Sequence, residues 1–117
     1  MSDIFDPRQA LEQAGGSAEL ARDLFGMLLA DLPGLRDQAK AALASGDRQA
    51  LWDHVHKIHG STAYCGVPEL REAAHAMEKA IKGGDGVDLV EPFAALERAI
   101  DRLLAEGPRL IEEAGWD

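Results

Sequence analysis

The sequence has few aromatic residues, a single cysteine and little positive charge. Aromatic residues make up 5% of its 117 residues and hydrophobic residues 46%, a balance that favours helices over sheet. Twelve Lys and Arg residues face 21 Asp and Glu residues, for a formal net charge of −9. Nucleic acid is therefore excluded as a partner, because affinity for it comes largely from Lys and Arg neutralising phosphates. Cys65 has no second cysteine to pair with, so the cytoplasm is the expected location.

Long hydrophobic runs are also absent. No apolar stretch approaches the roughly 20 residues that a membrane span needs, and the first residues lack the basic and apolar regions of a signal peptide. We therefore expect no membrane contact by this domain. A chain of 117 residues fits one domain, which we assign to residues 1–117 with its core at about 17–106.

Glycines and prolines divide the chain into five periodic segments. A short helix is predicted from Asp6-Pro7 to Gly15-Gly16, and four longer amphipathic helices follow. Pro33-Gly34 is expected to kink or briefly break its helix, and Pro108 is expected to bend the last helix near its end. The fold class is predicted to be all-α, an antiparallel up-and-down four-helix bundle with a short extra N-terminal helix. In the first long helix the recurring apolar residues are Leu20, Leu24, Met27, Leu28, Leu32, Leu35, Ala39, Ala42 and Leu43.

Three of the four histidines lie in one helical segment, where helical geometry predicts their directions. At about 100° per residue, His56 points roughly 140° away from the apolar stripe of its helix and should face water. His59 lies one turn on and shares an edge with His56, whereas His54 leans to the other flank. The stripe that defines the core direction consists of Leu51, Val55, Ile58, Thr62 and Cys65.

Gly60 lies one turn after His56 and nearly opposite the core. A glycine in mid-helix costs on the order of 1 kcal/mol relative to alanine, and an outward position gains no core packing to offset that cost. We infer that a docking partner needs the bare surface. An exposed imidazole beside such a patch suits phosphoryl transfer, because neutral imidazole keeps a lone pair and can form a covalent intermediate.

At these residues the sequence resembles the histidine-containing phosphotransfer (Hpt) domains of multistep two-component phosphorelays. The family motif reads His-x-Leu-Lys-Gly-Ser-x-x-x-x-Gly, and this chain reads His56-Lys57-Ile58-His59-Gly60-Ser61-Thr62-Ala63-Tyr64-Cys65-Gly66. The likeness covers roughly residues 17–104. It is most similar to the C-terminal Hpt domains of BarA/GacS-like hybrid sensor kinases.

The resemblance implies that His56 accepts a phosphoryl group from a receiver-domain aspartate and passes it to another receiver aspartate. His59 occupies the position of the family's lysine, so either His59 hydrogen-bonds the phosphoryl oxygens or Lys57 supplies the charge. These three residues are the candidate catalytic set. The candidate partner-binding residues are Trp52, Asp53, Gly60, Ser61 and Ala63.

The sequence has no P-loop and no kinase glycine-rich motif, so we expect the chain, a monomer, to have no kinase or nucleotide-binding activity of its own. The same resemblance implies that its partners are receiver domains and a hybrid sensor kinase. No cofactor or metal is expected on the chain itself, because Mg²⁺ would be bound by the partner receiver domain.

Two other functions remain open. The chain could be a helical docking module that binds receiver domains or another enzyme without carrying phosphate. It could also be a metal-binding helical bundle, although the helical phases argue against this because only His56 and His59 share a face. The residues available to such a site are His54, His56, His59, His75 and Cys65.

Overall fold

The computed structural model describes residues 3–84 and 86–114, and within these ranges it contains helices and no strand. The predicted all-α class is confirmed. The boundaries of the single domain, 1–117 with a core at 17–106, stay a prediction. The helices are α1 (Pro7–Gln13), α2 (Ala18–Ser45), α3 (Arg48–Ser61), α4 (Pro68–Lys82) and α5 (Val90–Glu113), and a 3₁₀ turn at Thr62–Tyr64 follows α3.

The first four helices begin where capping chemistry predicts. At three starts a side-chain oxygen accepts a hydrogen bond from the backbone N–H three residues later, which satisfies a donor that has no partner inside the helix. Pro7 and Pro68 occupy the first positions of α1 and α4, where a missing N–H costs nothing. The three caps are Asp6 to Gln9 (3.2 Å), Ser17 to Leu20 (3.1 Å) and Asp47 to Ala50 (3.0 Å).

The four long helices pack as antiparallel neighbours. Between α2 and α5, Arg36 pairs with Asp101 at 3.1 Å and Lys40 pairs with Glu97 at 3.2 Å, so residue numbers rise along one helix as they fall along the other. The pairs between α3 and α4 follow the same rule: Arg48 bonds the Ile81 carbonyl near one end, and the ring of His59 contacts that of His75 further along. The bundle measures 48 × 20 × 20 Å.

The core is lined by positions spaced alternately four and three residues apart, which is the heptad spacing of packed helices. In α2 the predicted stripe was partly wrong, because Leu20 is 44% exposed and Met27 is 61% exposed. Each lies one residue, or about 100°, away from a core position, and phase decides burial more than side-chain size. The buried residues of α2 are Ala21, Phe25, Leu28, Leu32, Leu35, Ala39 and Ala42.

Neither proline divides its helix. Pro33 lies inside α2 and Pro108 inside α5, and both helices continue past them. The expected interruption at Pro33-Gly34 was therefore wrong; a bend stays a prediction. Proline removes one backbone hydrogen bond, while core contacts on both sides, such as those of Leu32 and Leu35, keep α2 in register. Within the described ranges, no helix is long and apolar enough to cross a membrane.

The N-terminal segment packs into the bundle and joins the start of α4. Phe5 and Ala10 are buried in the core. The Asp6 N–H donates to the Gly66 carbonyl at 2.8 Å, and the Gly66 N–H donates to Gln13 Oε1 at 2.9 Å. These contacts hold α1 against the turn after α3. We call the residues that make them the N-terminal corner: Phe5, Asp6, Ala10, Gln13 and Gly66.

Candidate functional site

His56 lies on the outer surface of α3, where its phase predicted it. Its side chain is 64% exposed, and one face of the ring stacks on Trp52, with ring centroids 5.3 Å apart and planes 14° from parallel. The Nδ1 atom lies 3.1 Å from Glu78 Oε1 on α4. The imidazole is therefore held at one nitrogen and on one face while most of its surface remains open.

Glu78 is a site residue that sequence reasoning missed. It is buried, with 7% exposure, and its Oε1 accepts from His56 Nδ1 at 3.1 Å and from His59 Nδ1 at 2.9 Å. The signal available in the sequence was its position directly after Met77, at the edge of the core stripe of α4. A carboxylate there is expected to be buried, and a buried carboxylate rarely lacks a polar partner.

This contact fixes the tautomer of His56. A carboxylate oxygen only accepts hydrogen bonds, so an Nδ1 atom that bonds to Glu78 must carry the hydrogen. Neutral imidazole has one hydrogen on its two ring nitrogens, so the lone pair of His56 is on Nε2. Nε2 makes no hydrogen bond to the described residues. The site can thus present a neutral, oriented nitrogen nucleophile to solvent.

Of the two proposed charge-bearing neighbours, His59 lies beside the carboxylate and Lys57 does not. The His59 side chain is 24% exposed and lies between Glu78 and His75, with the two imidazole centroids 5.5 Å apart. Lys57 is exposed and lines a recess on the α2 side together with residues such as Gln38. The structure brings His59 and His56 to one acceptor and leaves Lys57 on the other flank of α3.

Gly60 leaves open space one turn beyond His56. It is exposed, and a Cβ atom placed there would meet no atom within 4 Å. The next residues turn inward: Ser61 Oγ donates to the Ile58 carbonyl at 2.7 Å, and Ala63 is half-buried in the 3₁₀ turn. Among the predicted partner-binding residues after His56, Gly60 is exposed and Ser61 and Ala63 are half-buried.

The remaining predicted contacts lie on the N-terminal side of His56. Trp52 is half-buried, stacks on His56 and has Lys82 Nζ 4.9 Å from its ring centroid on the other helix, a cation–π distance. Asp53 is exposed and accepts from Gln49 Nε2 at 3.0 Å. The surface around His56 therefore combines an aromatic ring, a cation and a carboxylate.

Cys65 lies outside this surface. It is 3% exposed, and burial raises the pKa of its thiol to about 11 because an apolar surrounding disfavours the thiolate. It is a buried apolar residue, as its stripe position predicted, and the thiolate needed for nucleophilic chemistry is not formed at neutral pH.

One set of potential metal ligands crosses two helices. His59, His75 and Glu78 offer ligand atoms that all lie within 4.8 Å of one another. The helical phases that counted against a metal site compare residues on one helix, whereas His59 comes from α3 and the other two residues from α4. Phases within a single helix therefore could not reveal this set of residues.

Residues 23–106 match the family model described as "Hpt domain". Over 106 residues the chain is 44% identical to the sensor histidine kinase GacS of Pseudomonas protegens, covering 88% of this chain and 11% of the kinase. Over 107 residues it is 37% identical to the signal transduction histidine-protein kinase BarA of Escherichia coli K12, covering 91% of this chain and 12% of that protein. The chain thus spans about a tenth of the length of these relatives.

The fold also matches a solved structure. The crystal structure of the HPT domain from a hybrid histidine kinase of Shewanella superposes with a TM-score of 0.86 at 24% identity, covering 97% of both chains. At that identity the likeness concerns the fold alone. The motif around His56 indicated a resemblance to the Hpt domains of BarA/GacS-like kinases, and this resemblance is confirmed.

Proposed function

Because the chain belongs to the Hpt domain family, whose members transfer phosphoryl groups in multistep phosphorelays, we propose that His56 is the residue that carries the phosphoryl group. It accepts the group from a receiver-domain aspartate and passes it to an aspartate of another receiver domain. The observation that carries this proposal is the exposed His56 ring, held through Nδ1 by buried Glu78 with Nε2 open to solvent.

In the transfer step, the Nε2 lone pair attacks the phosphorus of the receiver's aspartyl phosphate. The N–P bond forms as the P–O bond to the aspartate breaks, and the carboxylate leaves with the electron pair. Attack turns the imidazole into a cation that keeps its Nδ1–H, the group that lies 3.1 Å from Glu78 Oε1 before transfer. The carboxylate stabilises that cation without taking part in the covalent change, so Glu78 is a positioning residue.

The neighbouring residues support docking and charge compensation. Trp52 orients the ring by stacking on it, and the open surface at Gly60 admits the receiver. His59 is the candidate for contact with the phosphoryl oxygens, and Lys57 remains the alternative source of charge. The receiver supplies Mg²⁺ and the acidic pocket, while this domain acts as a cytoplasmic monomer without a cofactor.

The decisive experiment compares two histidines of the same helix. Incubation with a phosphorylated receiver is expected to give an acid-labile, alkali-stable label on the wild type and on His54→Gln. His56→Gln is expected to take up no label while its free energy of unfolding changes by less than about 1 kcal/mol, since the side chain is exposed. Label on folded His56→Gln would refute the assignment, and a wild type that binds the receiver without label would indicate a docking module.

The role of Glu78 requires a readout beyond the rate. In Glu78→Gln the amide can still accept a hydrogen bond but carries no charge, so we expect label uptake to slow about tenfold, which is about 1.4 kcal/mol of transition-state stabilisation. The ¹⁵N chemical shifts of His56 should change from the Nδ1–H tautomer towards a mixture. Unchanged shifts together with an unchanged rate would contradict this role.

A further inference from the structure

A zinc-type ligand set borders the phosphotransfer site and shares Glu78 and His59 with it. His59 on α3 and His75 and Glu78 on α4 provide two imidazoles and one carboxylate within 4.8 Å. Two histidines and a glutamate form one of the common ligand sets of zinc sites that keep a position open for water. Such a set also discriminates against Mg²⁺, which prefers oxygen ligands in an octahedral arrangement.

The geometry is near that of a bound ion. Two ligand atoms on a tetrahedral zinc lie about 3.3 Å apart, given zinc–ligand distances of about 2.0–2.1 Å. His59 Nδ1 and Glu78 Oε1 are 2.9 Å apart and are joined by a hydrogen, which an ion would replace. His75 is exposed, so its ring can move the remaining distance with little loss of packing.

Solvent and ions can reach the cluster. His59 and His75 line an open recess of about 410 Å³ together with Arg71 and Glu72. Glu72 lies one turn before His75 on α4 and adds negative charge at the rim, whereas Arg71 adds positive charge that weakens attraction for a cation. Glu78 at the base of the cluster is buried, and its charge there is less screened by water.

We propose that His59, His75 and Glu78 bind one Zn²⁺ ion and that the bound ion inhibits phosphoryl transfer at His56. Glu78 Oε1 is the atom that holds His56 Nδ1, so an ion coordinated by that oxygen competes with the hydrogen bond that fixes the Nε2 nucleophile. The ion also occupies His59, the neighbour closest to the same carboxylate. The inhibitory part of this inference rests on the proposed function, whereas the binding part does not.

Binding is tested on the full chain after metal removal with a chelator. Titration calorimetry with ZnCl₂ and the visible absorption of added Co²⁺ should both show one ion per chain for the wild type. His75→Ala should weaken binding about tenfold or more, whereas His54→Ala, the matched control outside the cluster, should bind like the wild type. His56→Gln, which removes the competing hydrogen bond to Glu78, should bind at least as tightly as the wild type. Arg71→Ala should bind somewhat more tightly. Absence of uptake at one equivalent, or equal binding by His75→Ala, would overturn the site.

Inhibition is tested by measuring the transfer rate of each protein with and without zinc and comparing the two rates. The rate of label uptake by the wild type is measured with a phosphorylated receiver in excess Mg²⁺. Adding one equivalent of Zn²⁺ should lower this rate about tenfold, because the ion removes the transition-state stabilisation that the Glu78 carboxylate contributes. In His75→Ala the ratio of the two rates should stay near one, which also shows that zinc leaves the receiver active. Equal ratios in both proteins would overturn the inhibition. A third result would separate the two proposals. If the wild type binds zinc through His75 but takes up no label in zinc-free buffer, the proposed phosphotransfer is refuted and the ion site is retained.

Discussion

Two glycines six positions apart, Gly60 and Gly66, have opposite surroundings. A Cβ atom on Gly60 would meet nothing within 4 Å, whereas a Cβ atom on Gly66 would lie 2.5 Å from the Asp6 carbonyl oxygen and 2.7 Å from Ala10. Gly66 also has a φ of +63°, a region that L-residues rarely adopt. One glycine keeps a surface bare next to His56, and the other lets the N-terminal corner close.

The comparison separates function from stability along a single stretch of chain. The surface around His56 is open to solvent, so core packing places little constraint on which side chains it carries. In the N-terminal corner Phe5, Ala10 and Gly66 are buried and the other two residues are half-buried, so its residues are constrained by packing. Substitutions in the first region should therefore change transfer, and substitutions in the second should change the free energy of unfolding.

The largest stability effect is expected at the corner. Gly66→Ala should lower the free energy of unfolding by about 2–4 kcal/mol, because the added methyl group overlaps backbone atoms and the left-handed conformation is strained. Urea denaturation followed by circular dichroism measures the loss. Gly46→Ala is the matched control, since Gly46 has a φ of +75° and open space around its Cβ position; it should lose only about 1 kcal/mol. Equal losses would mean that Gly66 is required for its backbone angle alone.

The next effect is on transfer. Gly60→Leu should slow label uptake from a phosphorylated receiver about tenfold, equivalent to about 1.4 kcal/mol, because the side chain obstructs docking beside His56. Its unfolding free energy should stay within about 1 kcal/mol of the wild type. Gly26→Leu is the control, since Gly26 is also exposed, helical and open at its Cβ position. Equal rates for both variants would remove the docking role of Gly60.

The smallest effect has the opposite sign to that at the corner. Gly60→Ala should raise the free energy of unfolding by about 0.5–1 kcal/mol, because alanine has less backbone entropy to lose in a helix and nothing in the structure clashes with its methyl group. The same urea titration measures it. A decrease would indicate that Gly60 has a structural role like that of Gly66.

Much of the fold follows from local rules. The capping residues Asp6, Ser17 and Asp47 mark helix starts, and the heptad-like spacing of apolar residues predicts the faces that pack. The errors came from judging apolar character before phase: Met27 was taken as core and is exposed, while Phe25 was omitted and is 1% exposed. Pro33 was expected to kink or briefly break a helix that tertiary packing keeps whole.

The candidate site was predictable where it depends on one helix and not where it depends on two. The outward direction of His56 and the bare surface at Gly60 follow from their phases in α3. The approach of Glu78 to His56 and His59, and of His75 to His59, depends on how α4 is aligned against α3.

The sequence by itself determined the helical class, the helix starts and the exposed histidine, because helical periodicity and capping are properties of neighbouring residues. Only the tertiary structure decided which nitrogen of His56 carries the hydrogen and which residues surround the carboxylate of Glu78. The physical reason is that a hydrogen bond forms only when the distance between its donor and acceptor atoms is correct to within a few tenths of an ångström. Those distances are set by the packing of one helix against another, not by the spacing of residues along either.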